Sequence, residues 1–301
     1  MAKAVYVGVD SKARKMKKAY IGIGGTARKV KKMYIGDSSG KARLCYSAEA
    51  DKFGTATPLS KYRIFLAGTT VGGYALFGGG GYDSDAKKGE AIMDAYNASL
   101  TRTTATPLPS NAYACAGGTV GGYAVFSGGS SMNSDSTLVE TIGALEIVRA
   151  YDSSLTSSQA APLSCPRAVH SAATIGNHLL FAGGYNSTTG KYLSTVESYD
   201  ASLTRSTAVE LSSAKNGLAS ATVGEYAMFA GGYKGNSDAA YVATVDAYNT
   251  ALTKTTMPDL SVGRYGLASA VIGDYALFAG GISKISSTAD KYQDVVDVYS
   301  A

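Results

Sequence analysis

Tryptophan is absent from this sequence, histidine occurs only as His170 and His178, and cysteine only as Cys45, Cys115 and Cys165. Two histidines that fall in different repeat columns cannot supply a copper-type cluster of His and Tyr ligands. Three cysteines without metal-ligand spacing exclude a zinc motif, and their strand-like surroundings point to buried free thiols rather than disulfides. No Cys/His/Asp set stands at nucleophile spacing, so no covalent catalysis is expected. Charged residues make up 17% of the chain, which leaves Ser, Thr, Asn and Gly to cover much of the surface. No apolar run reaches the ~18 residues that span a bilayer, so no membrane partner is expected. The opening MAKAVYVGVDSKARK lacks the apolar stretch of a signal peptide, so synthesis in a reducing cytosol without Sec export is expected.

What is abundant is glycine, at 36, and tyrosine, at 22. Both are organised by repeats. YALFGGG (74–80), YAVFSGG (123–129), HLLFAGG (178–184), YAMFAGG (226–232) and YALFAGG (275–281) recur with Phe-to-Phe steps of 49, 55, 48 and 49. Downstream stand YNASLT (96–101), YDSSLT (151–156), YDASLT (199–204) and YNTALT (248–253). Upstream, each unit ends a small-residue run in Val/Ile-Gly, as at Val71-Gly72 and Ile272-Gly273. Each unit therefore predicts four strands: a small-residue strand, an aromatic strand after a tight turn, a third after a polar loop, and a fourth beyond the Tyr marker. One such sheet cannot bury both faces alone, so the units must stack around an axis.

The Tyr markers fall at 46, 96, 151, 199, 248 and 299, one more than the aromatic strands. The expectation is an all-β, five-bladed propeller over residues 46–301, its last blade closed by the N-terminal strand after Tyr46. Phe-x-Gly-Gly, Tyr-Asp/Asn and Pro166-Arg167-Ala168-Val169-His170 resemble the kelch-repeat propellers, with Leu-Thr in place of the tryptophan that usually follows Tyr-Asp. The resemblance implies a scaffold that binds.

Residues 1–45 form a separate hairpin-repeat segment of period 14: VYVGVDSKARKMKK, AYIGIGGTARKVKK and MYIGDSSGKARLCY, with Tyr6, Tyr20 and Tyr34 in register. Residues 1–46 hold 12 Lys/Arg against Asp10 and Asp37, while the remainder is net −5. The two parts thus face different partners. Tyr20-Ile21-Gly22 with Ala27-Arg28-Lys29-Val30-Lys31-Lys32 resembles repeats in tail and other virion proteins of phages and prophages of Gram-positive bacteria. That resemblance implies docking on virion structural proteins through Tyr6, Tyr20, Tyr34, Arg28 and Lys29, homo-oligomerisation, and a place on the virion. Nucleic acid is disfavoured, because the charges recur on a hairpin scaffold with Tyr held in register rather than interleaved for stacking on bases.

One column carries charge. Eight residues before each Val/Ile-Gly stand Arg63, Ala112, Arg167, Lys215 and Arg264. The plainer reading has these long side chains cap loop carbonyls between blades; the functional one makes them an anion-attracting entrance. The second-to-third-strand loops vary in length on a constant scaffold, as binding loops do. They offer Tyr82, Asp83, Asn133, Asn186, Tyr192, Asn236 and Tyr241 to a ligand. Glu90, Glu140, Glu197 and Asp246 show no common column, so no paired carboxylates for hydrolysis are expected, and neither cofactor nor metal. The expected function is a non-catalytic virion-associated protein that presents its loops to a host cell-surface glycan or protein. Alternatives are a capsid- or neck-decorating protein and an intracellular kelch-type scaffold.

Overall fold

The computed structural model describes residues 56–82, 88–131, 143–235, 240–286 and 289–300, together with the backbone pairing of six short strands before residue 48. The chain divides into two compact units, Met1–Thr55 and Ala56–Ala301, a boundary that falls after Tyr46 rather than before it. In the first unit three antiparallel hairpins pair Tyr6–Val9 with Lys12–Lys15, Tyr20–Ile23 with Thr26–Lys29, and Lys32–Gly36 with Ala42–Ser47. These match the three 14-residue repeats.

The second unit is all-β among its described residues. Four sheets are four-stranded antiparallel meanders. The first comprises Ala67–Val71, Tyr74–Gly78, Met93–Asn97 and Arg102–Thr104. The second comprises Ala116–Val120, Tyr123–Ser127, Val148–Tyr151 and Ser157–Gln159. The third comprises Ser171–Ile175, His178–Ala182, Val196–Asp200 and Arg205–Ala208. The fourth comprises Ala219–Val223, Tyr226–Ala230, Val245–Tyr248 and Lys254–Met257. A fifth sheet pairs Ala268–Ile272, Tyr275–Ala279 and Val296–Ser300. Among the described residues it has no fourth strand; of the segment expected to provide one, 49–59, residues 49–55 lie outside them and 56–59 are in no strand.

Innermost strands of successive sheets pack side by side. Their small side chains permit that approach, and their hydroxyls bind across it: Thr174 Oγ1 donates to Thr119 O at 2.6 Å, and Thr222 Oγ1 to Thr174 O at 2.8 Å. Sheet stacks on sheet through the marker residues. Phe126, Phe181, Phe229 and Phe278 are fully buried, each worth roughly 1.5–3 kcal/mol of transfer free energy. Each meets the Tyr marker of its own sheet edge-on, with ring centroids 5.7–5.9 Å apart. The Tyr hydroxyls then reach back to the preceding segment: Tyr151 to Thr106 O at 2.8 Å, Tyr199 to Ala161 O at 2.9 Å, Tyr248 to Val209 O at 2.8 Å. After each marker an Asn or Asp side chain accepts two backbone N–H groups, as Asp200 does from Ser202 and Thr204 at 2.9 Å. Leu203 completes that turn with a φ of 62°. These contacts account for the Tyr-Asp/Asn-x-x-Leu-Thr signature as a turn.

The paired glycines mark where each sheet reaches the next. Gly183 and Gly184 have φ of 68° and 110°, and a Cβ on Gly183 would lie 2.6 Å from Lys215 O of the following repeat.

Candidate binding rim

At the glycine end of the sheets, the residue after each pair bridges the segment that leads into the same sheet. The bridges are Ile64 with Gly81, Tyr113 with Ser130, Ala168 with Tyr185, Asn216 with Tyr233, and Tyr265 with Ile282. One residue further on, the chain turns into the left-handed region at Phe65, Ala114, Val169, Gly217 and Gly266. There it forms hydrogen bonds from sheet to sheet: Ala114 N to Phe65 O at 3.1 Å, Val169 N to Ala114 O at 3.0 Å, Gly217 N to Val169 O at 2.9 Å and Gly266 N to Gly217 O at 3.0 Å. Inside this arc lies an axial cavity of about 450 Å³ lined by Leu66, Cys115, His170, Leu218, Tyr265 and Leu267, among others.

Beside the cavity five tyrosines touch in sequence. Tyr185 and Tyr192 have centroids 5.0 Å apart, Tyr192 and Tyr233 5.8 Å, Tyr233 and Tyr241 5.4 Å, and Tyr233 and Tyr265 6.0 Å. All five are half-buried. Tyr241 also donates to Asp290 Oδ1 at 3.1 Å. Burial holds the Tyr192 and Tyr241 hydroxyls above their ordinary pKa, so both stay neutral donors. The rim of the third to fifth sheets is thus a continuous aromatic surface edged by hydroxyls.

The basic column does not line an entrance. Arg63, Arg167, Lys215 and Arg264 are buried, each against a carboxylate of its own sheet. Arg63 Nη1 meets Asp94 Oδ2 at 2.9 Å and Arg167 Nη2 meets Glu197 Oε1 at 2.5 Å. Lys215 Nζ meets Asp246 Oδ2 at 3.4 Å, and Arg264 Nη2 meets Asp297 Oδ2 at 2.8 Å. Burial pulls the Arg167 and Lys215 pKa down, opposed by Glu197 and Asp246. They do cap carbonyls as well: Arg167 Nη1 donates to Gly183 O and Thr195 O, both at 3.1 Å. The anion-attracting entrance is therefore corrected to a structural network, since a charge held by a buried carboxylate has nothing left for a ligand.

Glu197 and Asp246 also correct the view of them as scattered. Both stand two residues before the Tyr marker, as do Asp94 and Asp297. Each accepts from the backbone N–H and hydroxyl of one serine: Ser60, Ser164, Ser212 and Ser261. In the second sheet the whole set is exchanged together, with Pro109 for the serine, Ala112 for the base and Arg149 for the acid. That correlated exchange was the signal available in the sequence.

Of the loop candidates, Tyr192 and Tyr241 belong to the aromatic surface. Asn186 does not face a ligand: it is buried, accepts from the Thr188 and Thr189 N–H groups at 3.0 and 3.1 Å, and donates to Cys165 Sγ at 3.3 Å. It holds its own turn. Tyr82 lies in the strand Gly81–Tyr82, but its side chain is outside the described residues, as are Asp83, Asn133 and Asn236. Tyr6, Tyr20, Tyr34, Arg28 and Lys29 fall in the N-terminal strands, with side chains likewise outside them. Tyr185, Tyr233 and Tyr265 were not singled out from sequence; a tyrosine beside the glycine pair, at 185 and 233, was the cue.

His170 sits buried in the cavity wall with Nε2 2.8 Å from Ser127 Oγ. Burial, with Arg167 nearby, drives its pKa well below the usual value. His178 packs Nδ1 3.1 Å from Ser198 Oγ. Cys115 is a buried free thiol whose pKa burial raises to about 11, and Cys165 is free and half-buried. Among the described residues no group of three or more His, Cys, Asp or Glu is placed to hold a metal ion.

Comparison with known proteins agrees with this architecture. The Kelch motif is matched by residues 166–202, which span the third sheet from Pro166 past its Tyr marker. No curated protein matches the sequence. Among solved structures the chain is similar to one titled "Structure of YjhT", with a TM-score of 0.59 and 14% identity, covering 92% of this chain and 95% of that one. The chain thus has an all-β fold of propeller type, one segment of which matches the Kelch motif.

Proposed function

We propose that this chain is a non-catalytic binding module that presents its tyrosine rim to a cell-surface glycan or protein and is carried on a virion through its basic N-terminal hairpins. The observation that carries the binding role is the contiguous surface of Tyr185, Tyr192, Tyr233, Tyr241 and Tyr265 beside the axial cavity. Tyrosine gives a rigid, amphipathic contact at low entropic cost, and flat rings edged with hydroxyls suit the apolar face and hydroxyl rim of a sugar. A kelch-type propeller is itself a scaffold suited to binding.

Catalysis is disfavoured by how the acids are used. Asp94, Glu197, Asp246 and Asp297 are each occupied by a base and a serine, so none is poised as a general acid or base. The virion part rests on the 14-residue repeats and on the charge contrast between the two parts of the chain. Several copies on one particle would turn weak single contacts into avidity.

A glycan array probed with the full chain, with parallel assay for released product, tests the binding role. Retention of defined glycans without product is expected; product release overturns it. Immunogold labelling of particles from producing cells tests the location. Label confined to cytosol, with no particle association, overturns the virion assignment.

A further inference from the structure

Charge is divided unevenly among the second-to-third-strand loops. Those of the first two sheets, 81–91 and 130–144, hold Lys87 and Lys88 against Asp83, Asp85, Glu90, Asp135 and Glu140, a balance of −3. Those of the third to fifth sheets, 185–194, 233–242 and 282–293, hold Lys191, Lys234, Lys284 and Lys291 against Asp238 and Asp290, a balance of +2. The cationic loops are the ones that carry the tyrosines. They belong to a stretch, 47–301, that is net −5.

The same four are the lysines that lie exposed among the described residues. Lysines elsewhere in the sheets are held by acids: Lys61 meets Glu90 at 2.6 Å, and Lys215 and Lys254 meet Asp246 at 3.4 and 3.7 Å. Lys284 stands 3.9 Å from Asp290. Among the described residues no carboxylate pairs with Lys191, Lys234 or Lys291.

These cations adjoin the rings. Lys191-Tyr192, Tyr233-Lys234 and Lys291-Tyr292 are neighbours in the chain, one pair in each sheet. Gly235 beside Lys234 lies against Tyr192, where a Cβ would come within 3.4 Å of Cε2. The third- and fourth-sheet loops, and so Lys191 and Lys234, are thereby brought to one place. Tyr241 donates to Asp290, the acid beside Lys284, which joins the fourth- and fifth-sheet loops in the same way.

What this surface lacks is negative charge. Its phenols are neutral donors, and three of its lysines have no counter-ion among the described residues. Lysine is a hydrated point charge on a flexible stem, suited to anions spaced along a polymer. A cationic strip on an acidic body also orients an approaching polyanion to that side. We propose that the tyrosine rim takes an acidic glycan, with sugar faces on the rings and carboxylate or phosphodiester groups on Lys191, Lys234 and Lys291. This rests on the rim reading above and adds the charge of the ligand.

Binding of the full chain to immobilised polygalacturonate, phosphomannan and neutral mannan tests it. The parent should hold one acidic polymer at least about tenfold more tightly than mannan, and raising salt from about 0.05 to 0.5 M should shrink the difference. Lys191→Ser, Lys234→Ser and Lys291→Ser together should lose roughly that factor. The same three changed to Arg should keep it, as should Lys12→Ser, Lys15→Ser and Lys32→Ser in the basic hairpins. The acidic polymer that is held separates carboxylate from phosphodiester. Equal binding of mannan, binding of none of the three, or loss in the hairpin variant instead of the loop variant overturns the proposal. So does a tighter hold on single-stranded polynucleotide. Tyr192→Ala with Tyr241→Ala tells this failure from that of the rim. If mannan binds as well as the acidic polymers and this variant weakens it, the rim stands as a neutral-glycan site. If the variant binds every polymer unchanged, both readings fall.

Discussion

Arg167 Nη2 lies 2.5 Å from Glu197 Oε1, and both side chains are withdrawn from solvent. Arg205 approaches the same carboxylate from the fourth strand at 3.6 Å. The acid ties the strand into the sheet, the outer strand and the incoming segment at once. Burying a pair costs desolvation, but removing one partner strands a charge, which typically costs about 3–5 kcal/mol. Glu197→Ala should therefore lower unfolding free energy by that amount. Changing Arg167 and Glu197 to Leu together should restore at least half of the loss. Urea denaturation followed by circular dichroism checks both. Single variants within ~1 kcal/mol of the parent would contradict the network's structural role.

The glycine pair makes a second prediction, because two of its relatives separate φ from contact. Gly190 has a φ of 70° with only Tyr185 Oη at 4.0 Å, whereas Gly183 has a φ of 68° and a carbonyl in the way. Gly190→Ala should cost about 1–2 kcal/mol, the left-handed penalty alone. Gly183→Ala should cost clearly more, because Lys215 O must also move. Equal losses in thermal melts would show that crowding between sheets is not what fixes glycine there.

His170 gives a pH dependence with a definite sign. Burial holds it neutral in the fold, while the unfolded chain takes up a proton near the ordinary 6.5. The unfolded state then binds more protons as pH falls below 6.5, so this contribution to stability is present above that pH and is lost progressively below it. Asp297, which burial raises but its bonds from Arg264 and Ser261 carry lower overall, adds a loss only at more acidic pH. His170→Leu, the residue type at Leu66, Leu218 and Leu267, should flatten the stability curve between about pH 6.5 and 5. An unchanged slope in denaturation at several pH values would refute this assignment.

Much of the fold was legible because the repeats were. Phe, paired Gly and marker Tyr each do one mechanical job per sheet, and five copies made the strand order plain. The charged network was harder to see. Its base column was visible, but a column of bases reads alike as an entrance or a clamp until the acids two residues before each tyrosine are set beside it. The rim was legible only in part: Tyr192 and Tyr241 stand out within loops that look like ligand loops, whereas Tyr185 and Tyr233 open the same loops directly after the glycine pairs, where nothing but that position marks them. Asn186 misled because a buried turn and an exposed binding loop favour the same side chain.

The measurement closest to the central claim is affinity of the full chain for an array-identified ligand, compared across three forms. The parent should bind, Tyr192→Ala with Tyr241→Ala should lose at least about tenfold in affinity, equivalent to 1.4 kcal/mol, with its melting behaviour kept. Glu225→Ala, on the turns at the opposite end of the sheets, should bind like the parent. If the tyrosine variant binds unchanged while Glu225→Ala fails, the ligand surface is at the other end and the account of the rim is wrong.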